Sequence, residues 1–217
     1  MGCANTAEIV KEYHDQKGSF QREKGLLKGS ETEKNVLKAF AGESQAFNRY
    51  MQFANKAKDE GFPYIQHIFA NNAEMEKQHA FRLFSFLEGG DLEINACYPA
   101  GKLGTTLENL KLAVAGETEE AEHAYPAFSK VAADEGFPAI AALFRNLAKI
   151  EADHAQRFAN LVKLVETESV FAQKDDTTWI CMICGYVHVG AKAPMKCPVC
   201  MADKPFEPRG LDWYAKM

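Results

Sequence analysis

Two stretches of this chain are near-copies of one another. DEGFPYIQHIFANNAEMEKQHAFR, residues 59–82, aligns with DEGFPAIAALFRNLAKIEADHAQR, residues 134–157, at an offset of 75. Upstream, AFAGES at 39–44 aligns with AVAGET at 113–118, where the offset is 74. A repeat on this scale asks for two similar halves that bury apolar faces against each other. The slip of one residue also asks for an insertion in the second half, between Ala-Gly-Glu and the Asp-Glu-Gly turn.

Each half reads as a pair of long helices. From Glu31 apolar residues return at helical spacing, with Val36, Leu37, Phe40, Phe47, Tyr50, Met51 and Ala54 near one face. Gly61 stops this helix, and Phe62-Pro63 opens the next, where proline's missing N–H is not needed. The second helix is expected to run to Leu87 and end at Gly89-Gly90. A loop with Cys97, Pro99, Gly101 and Gly104 follows. Thr105 or Thr106 caps a third helix that ends at Gly136, and Phe137-Pro138 opens a fourth that runs to about Glu166. Rods of this length span about 40 Å at about 1.5 Å per residue. Tight turns within each pair and a longer link between pairs predict an antiparallel four-helix bundle with one long crossover. An extra residue inside a helix whose ends keep register is absorbed as a π-bulge, expected between Glu117 and Tyr125.

The repeated tetrapeptides are Glu76-x-x-His79 and Glu151-x-x-His154. Glu and His three apart share a helical face. The first helices of the halves supply Glu43 and Glu117, each within Ala-Gly-Glu and flanked by apolar residues: Phe40 and Phe47, Val114 and Ala121. A charged group facing a core needs a partner, and a metal is an efficient one. One Glu from each of two helices plus Glu-x-x-His from each of the other two is the ligand pattern of ferritin-like di-iron or di-manganese bundles. The plain alternative is a bundle with surface Glu–Lys pairs and two satisfied histidines. Glu120, three past Glu117, is a candidate seventh ligand, while Glu119 and Glu122 are expected to face water. Tyr50 and Tyr125 match in the repeat, about two turns beyond their Ala-Gly-Glu glutamates. Their hydroxyls are candidates to support the ligand carboxylates, with core packing as the alternative.

The C-terminus carries a second metal signal. In WICMICGYVHVGAKAPMKCPVC, Cys181, Cys184, Cys197 and Cys200 form C-x2-C, twelve residues, C-x2-C. Four thiolates on two tight turns suit tetrahedral Zn or Fe. Gly185 and Pro198 suit knuckles whose backbone N–H groups bond to sulfur, and Trp179, Tyr186 and Phe206 can wall a small core. Two further cysteines, Cys3 and Cys97, stand apart, and Cys97 is expected to be a buried or half-buried inert thiol.

Composition excludes several classes. The net charge of −5 leaves no basic footprint for nucleic acid. No apolar run reaches membrane-spanning length, and no signal-peptide pattern is seen, so a cytoplasmic address is expected. Met1–Thr6 fits a loose myristoylation pattern, read as a chance match. The organisation expected is an extension over 1–29, in which TAEIVKEYH could form a short helix, the bundle over 30–168, a linker over 169–177 and the four-cysteine module over 178–217.

The motifs AFAGESQAFNRY, EMEKQHAFRLFSFLEGG, AGETEEAEHAYPAF, DEGFPAIAALF, IEADHAQRF and CMICGY…CPVC occur in this order. From about Lys28 to about Phe206 the chain resembles the rubrerythrin family. The resemblance implies a mostly α fold: a ferritin-like di-iron bundle followed by a small rubredoxin-like knuckle domain. It implies two Fe held by Glu43, Glu76, His79, Glu117, Glu120, Glu151 and His154, and one Fe held by the four cysteines, with Zn or Mn substitution possible. It implies that one iron exchanges Glu120 for His79 on reduction, and that Tyr50 and Tyr125 are supporting tyrosines. The function implied is a non-haem di-iron peroxidase that reduces hydrogen peroxide. Its electrons come from a rubredoxin or an NAD(P)H-dependent reductase, and the assembly is a homodimer or higher oligomer. A ferroxidase and a zinc-stabilised binding protein are the alternatives. Met201 stands where rubredoxins usually place glycine after the last cysteine.

Overall fold

The computed structural model describes residues 27–209. The short helix over TAEIVKEYH, the acylation pattern and Cys3 lie outside the described residues. Within them the chain forms α1 (Glu31–Asp59), α2 (Pro63–Phe84), α3 (Thr106–Glu119), a π-helical segment (Glu120–Ala124), α4 (Tyr125–Asp134) and α5 (Pro138–Glu166). Three strands follow: β1 (Ala172–Cys181), β2 (Val187–Lys192) and β3 (Phe206–Pro208). α3, the π segment and α4 form the third rod of the bundle. α1 packs on α2, and the third rod packs on α5.

Local chemistry sets the ends of the rods. Ser30 accepts the Glu33 N–H at the start of α1. Thr105 and Glu108 make a reciprocal capping box at the start of α3. Gly61 and Gly136 adopt φ of +80° and +83°, left-handed values that let the chain turn sharply into the proline that opens the next helix. The glutamates of the two Asp-Glu-Gly turns have a further role. Glu135 accepts the N–H groups of Glu31 (3.1 Å) and Thr32 (2.8 Å) and the Thr32 hydroxyl (2.5 Å). Its counterpart Glu60 accepts the Thr106 N–H at 2.8 Å. Each half therefore caps the first helix of the other half.

The π segment lies inside the expected window. Its signature is the Tyr125 N–H, which donates to the Glu120 carbonyl five residues back. Pro126 has no N–H to give, so the ladder resumes past it.

The bundle core is split. One apolar cluster includes Tyr50, Phe53, Ile65, Phe69, Leu110, Phe158 and Leu161. The other includes Val36, Leu83, Tyr125, Phe137, Ile140, Phe144 and Leu147. The repeated glutamates and histidines form a polar waist among these helices. On α1 the buried face runs through Val36, Ala39, Ala46, Tyr50, Phe53, Ala54 and Ala57. Met51 and Leu37, expected on it, are exposed and half-buried respectively. They lie at its margin. α2 ends at Phe84 rather than Leu87, tightening into single turns through Phe86 and Leu87.

The small sheet has order β2-β1-β3, all antiparallel. Trp179, Cys181, Ala193, Cys197 and Phe206 form its core. β1 begins at Ala172, inside the span expected as a linker, and this stretch is anchored to the bundle. Val170 is buried in the bundle core, and Phe171 stacks on Phe62 with rings 6.3 Å apart and 1° from parallel. Lys204 Nζ lies 5.5 Å from the Phe171 ring centroid.

Candidate metal centres

Four rods deliver the repeated motif to one place. α1 supplies Glu43, α2 supplies Glu76 and His79, α3 supplies Glu117, and α5 supplies Glu151 and His154. Glu43, Glu76, Glu117 and Glu151 are at most 1% exposed. Their ligand atoms form two groups that share Glu76 and Glu151: Glu43, Glu76, His79, Glu151 and Glu76, Glu117, Glu151, His154. Within each group all ligand atoms lie within 4.8 Å of one another. His79 Nδ1 is 3.0 Å from Glu76, 3.3 Å from Glu151 and 3.6 Å from Glu43. His154 Nδ1 is 2.9 Å from Glu151, 3.2 Å from Glu76 and 3.9 Å from Glu117. Ligand atoms around one small cation sit about 3.0–3.4 Å apart when bonds are about 2.1 Å long.

The electrostatics call for cations. Buried atoms without a hydrogen-bond partner include Glu43 Oε2, both oxygens of Glu76 and of Glu151, and Nδ1 of both histidines. Such orphans are costly unless something else binds them. Burial, reinforced by the Glu151 charge, pushes the Glu43 carboxyl up to about 7. Burial and carboxylate neighbours also raise Glu117 and Glu120 well above the ordinary range. At Glu151 burial opposes the charge, but His154 and His79 outweigh it and hold the carboxyl below its ordinary value. Burial likewise opposes charge on His79 and His154, yet the surrounding carboxylates raise both.

The two tyrosines cross over. Tyr50, from the first half, donates to Glu117 Oε1 of the second at 2.5 Å. Tyr125, from the second half, donates to Glu43 Oε1 of the first in a very short bond. Burial first, then the neighbouring carboxylates, raises both phenols well above their ordinary value, so they stay protonated donors.

Glu120 is not brought into either group. It is half-buried at the start of the π segment, and its Oε1 lies 3.6 Å from where a Cβ on Gly42 would stand. His79 stands among the carboxylates instead. Glu119 and Glu122 are exposed, as expected.

The four cysteines also converge. Cys181 and Cys200 sulfurs are 3.7 Å apart and those of Cys184 and Cys197 are 3.6 Å apart. An S₄ tetrahedron with bonds of about 2.3 Å has edges of about 3.8 Å. Backbone N–H groups of Tyr186, of Val199 and Cys200, and of Ala202 favour the thiolate forms of Cys184, Cys197 and Cys200 respectively. Gly185 N–H bonds to the Cys181 carbonyl at 2.9 Å, and Met201 N–H to the Cys197 carbonyl at 3.0 Å. The two knuckles match because Met201 adopts φ +63°, close to the +75° of Gly185. A side chain there strains the turn without abolishing it.

A family model described as Rubrerythrin matches residues 34–162, and one described as Rubrerythrin, rubredoxin-like domain matches residues 179–207. The chain belongs to the rubrerythrin family. It is 53% identical over 183 residues to a rubrerythrin of Porphyromonas gingivalis, a match covering 84% of this chain and 92% of that one. To a rubrerythrin of Nitratidesulfovibrio vulgaris it is 48% identical over 188 residues, covering 86% and 98%. A solved structure of nigerythrin in its fully reduced, all-ferrous state aligns with a TM-score of 0.56 at 28% identity, covering 85% of this chain and 92% of that one. Both iron centres of rubrerythrins have matching donor sets here: carboxylates and imidazoles in the bundle, four thiolates in the small module. The orphaned oxygens and nitrogens fit a di-iron pair, and the sulfur spacing fits Fe(Cys)₄.

Two local features carried no sequence signal. Tyr98 lies in the crossover, where no periodicity marks it, and its hydroxyl donates to the Lys38 carbonyl at 2.7 Å. Arg157 is buried three residues past His154 and donates to Asn72 at 2.7 Å and Asn71 at 3.0 Å. Cys97, expected to be at least half-buried, is exposed, because the crossover lies on the bundle surface. No helix among the described residues is long and apolar enough to cross a membrane.

Proposed function

We propose that this chain is a non-haem di-iron peroxidase that converts hydrogen peroxide to two waters, consuming two electrons and two protons per turnover. The observation that carries this reading is the union, in one chain, of the carboxylate–imidazole cage with a four-thiolate module docked on its bundle by Phe62 and Phe171. A ferroxidase needs the cage but not the thiolates.

Iron, when bound, supplies Lewis-acid polarisation and electrons to the O–O bond. The chain's own residues do the rest. Glu76 and Glu151 belong to both groups and would join the two cations, with Glu43 and His79 completing one position and Glu117 and His154 the other. Glu120, whose carboxylate lies beside Gly42, and His79 would be the alternative ligands at the first position. Tyr50 and Tyr125 hold the terminal glutamates by donating one hydrogen bond each, which fixes the carboxylates while leaving their other oxygens free. The apolar clusters on the bundle helices exclude bulk water.

Cys181, Cys184, Cys197 and Cys200 would hold an iron able to supply the cage with electrons one at a time. Their source is a separate rubredoxin or NAD(P)H-dependent reductase, and the working unit is a cytoplasmic homodimer or higher oligomer in which one protomer's module serves its partner's cage. Stopped-flow mixing of reduced protein with hydrogen peroxide or with air-saturated buffer tests the reading. Peroxide is expected to oxidise the protein much faster than air; equal rates would overturn it. Removing residues 178–217 is expected to leave Fe(II) oxidation by O₂ but abolish donor-driven peroxide turnover.

A further inference from the structure

The cage is not equally sealed on all sides. Its glutamates are at most 1% exposed, and the His154 side chain is 3% exposed. The His79 side chain is 13% exposed, and Glu120 is half-buried. The Glu120 side is therefore less completely sealed than the glutamates of the cage.

Gly42 lies on the Glu120 side, one residue before Glu43. A Cβ at Gly42 would stand 3.6 Å from Glu120 Oε1 and 3.6 Å from Tyr98 Cε1. The carboxylate and the tyrosine ring thus meet the same bare stretch of α1. Tyr98 belongs to the crossover between α2 and α3, whose residues 88–104 form neither helix nor strand. Its hydroxyl bonds to the Lys38 carbonyl at 2.7 Å, one helical turn before Gly42. This bond ties the middle of the crossover to α1, and it places the ring over the glycine rather than out in solvent.

We propose that Tyr98 is a specificity-determining residue: its ring, pinned at Lys38 and seated over Gly42, narrows the approach to the cage beside Glu120 so that hydrogen peroxide enters and branched alkyl hydroperoxides do not. The proposal rests on the peroxidase reading above. The excluded reaction is balanced in the same way. An alkyl hydroperoxide taking two electrons and two protons from the same reduced protein gives the alcohol and water. Only access distinguishes the two substrates.

The test uses full-length, iron-loaded, reduced protein in two arms. In the first, stopped-flow rate constants are measured for hydrogen peroxide and tert-butyl hydroperoxide. Wild type is expected to favour hydrogen peroxide strongly. Tyr98→Ala is expected to shrink that ratio at least fivefold, Tyr98→Leu to shrink it less, and Tyr98→Phe, which keeps the ring, to hold it within about twofold. In the second arm, iron release to bathophenanthroline disulfonate reports access of a bulky probe without any peroxide chemistry. Release is expected to accelerate in the order Phe, Leu, Ala. If both smaller variants keep the wild-type ratio and release rate, the aperture does not exist. If wild type fails to react with hydrogen peroxide but the release rates follow the expected order, the peroxidase reading falls and the aperture stands. The leucine variant preserves apolar packing, so the test survives a folding defect in Tyr98→Ala.

Discussion

Tyr50 donates its hydroxyl proton to Glu117 at 2.5 Å, reaching from the first half of the chain to the second, and Tyr125 returns the same bond to Glu43. The two halves are thus laced together at the carboxylates they jointly present. Glu60 and Glu135 repeat the exchange at the helix ends, each capping the other half's first helix.

Tyr50→Phe or Tyr125→Phe removes one donor and leaves a buried carboxylate oxygen short of its bond. Each is expected to lower iron affinity or peroxide turnover by about 10–100-fold and to destabilise the protein by about 1–3 kcal/mol. Iron titration and chemical denaturation measure the two effects separately. Wild-type behaviour in both variants would show the hydroxyls to be packing groups only.

Metal-free protein is expected to lose stability as pH rises. Glu43 keeps its proton up to about 7 in the fold but ionises near its ordinary value of 4.5 when unfolded. Its contribution is therefore complete below the unfolded value and is lost as pH climbs through the folded one. Glu117 and Glu120 act in the same sense, as do the raised His79 and His154. The depressed Glu151 is already ionised in both states across this window. Thermal unfolding of metal-free protein should show a falling Tm from about pH 5 to about pH 8. Loading with iron should flatten the trend, because a cation favours the ionised carboxylates.

Replacing Glu135 or Glu60 with Ala frees backbone donors at the start of α1 or α3. Each should cost about 1 kcal/mol, and the double variant should be close to additive because the sites are far apart. Urea unfolding measures this. A large cost from Glu60→Ala with none from Glu135→Ala would break the proposed equivalence.

Met201→Gly should stabilise the cysteine module by about 0.5–1 kcal/mol. The methionine is 61% exposed, so little packing is lost while the strain of φ +63° is relieved. Retention of the red Fe(III)(Cys)₄ colour in denaturant is the measurement. A lower midpoint for the glycine variant would mean that Met201 packs on something that stabilises the knuckle.

The internal repeat made much of this legible in advance. Glu43, Glu76, His79, Glu117, Glu151 and His154 occupy matching positions in two halves, so periodicity alone placed them on inward faces. The one-residue slip in offset by itself points to the π segment at Glu120–Ala124. Other features depend on how the rods are rotated and staggered, which one-dimensional spacing does not encode. That is why the tyrosines were expected to support the carboxylates, but not to exchange halves in doing so. Tyr98 and Cys97 sit in a crossover without periodicity, where burial cannot be read from pattern. Tyr98 turns inward and Cys97 outward although they are neighbours. Glu120 shows the same limit: its spacing from Glu117 puts it on the correct face, but only the fold shows it directed at Gly42 while His79 stands among the carboxylates.

Anomalous diffraction at the iron edge, on crystals of protein produced under iron-replete conditions, tests the central claim most directly. The account predicts two iron peaks in the bundle, one among Glu43, Glu76, His79 and Glu151 and the other among Glu76, Glu117, Glu151 and His154, plus a third between the four cysteines. A single peak at the cysteines, with His79 and His154 turned away from the glutamates, would contradict it.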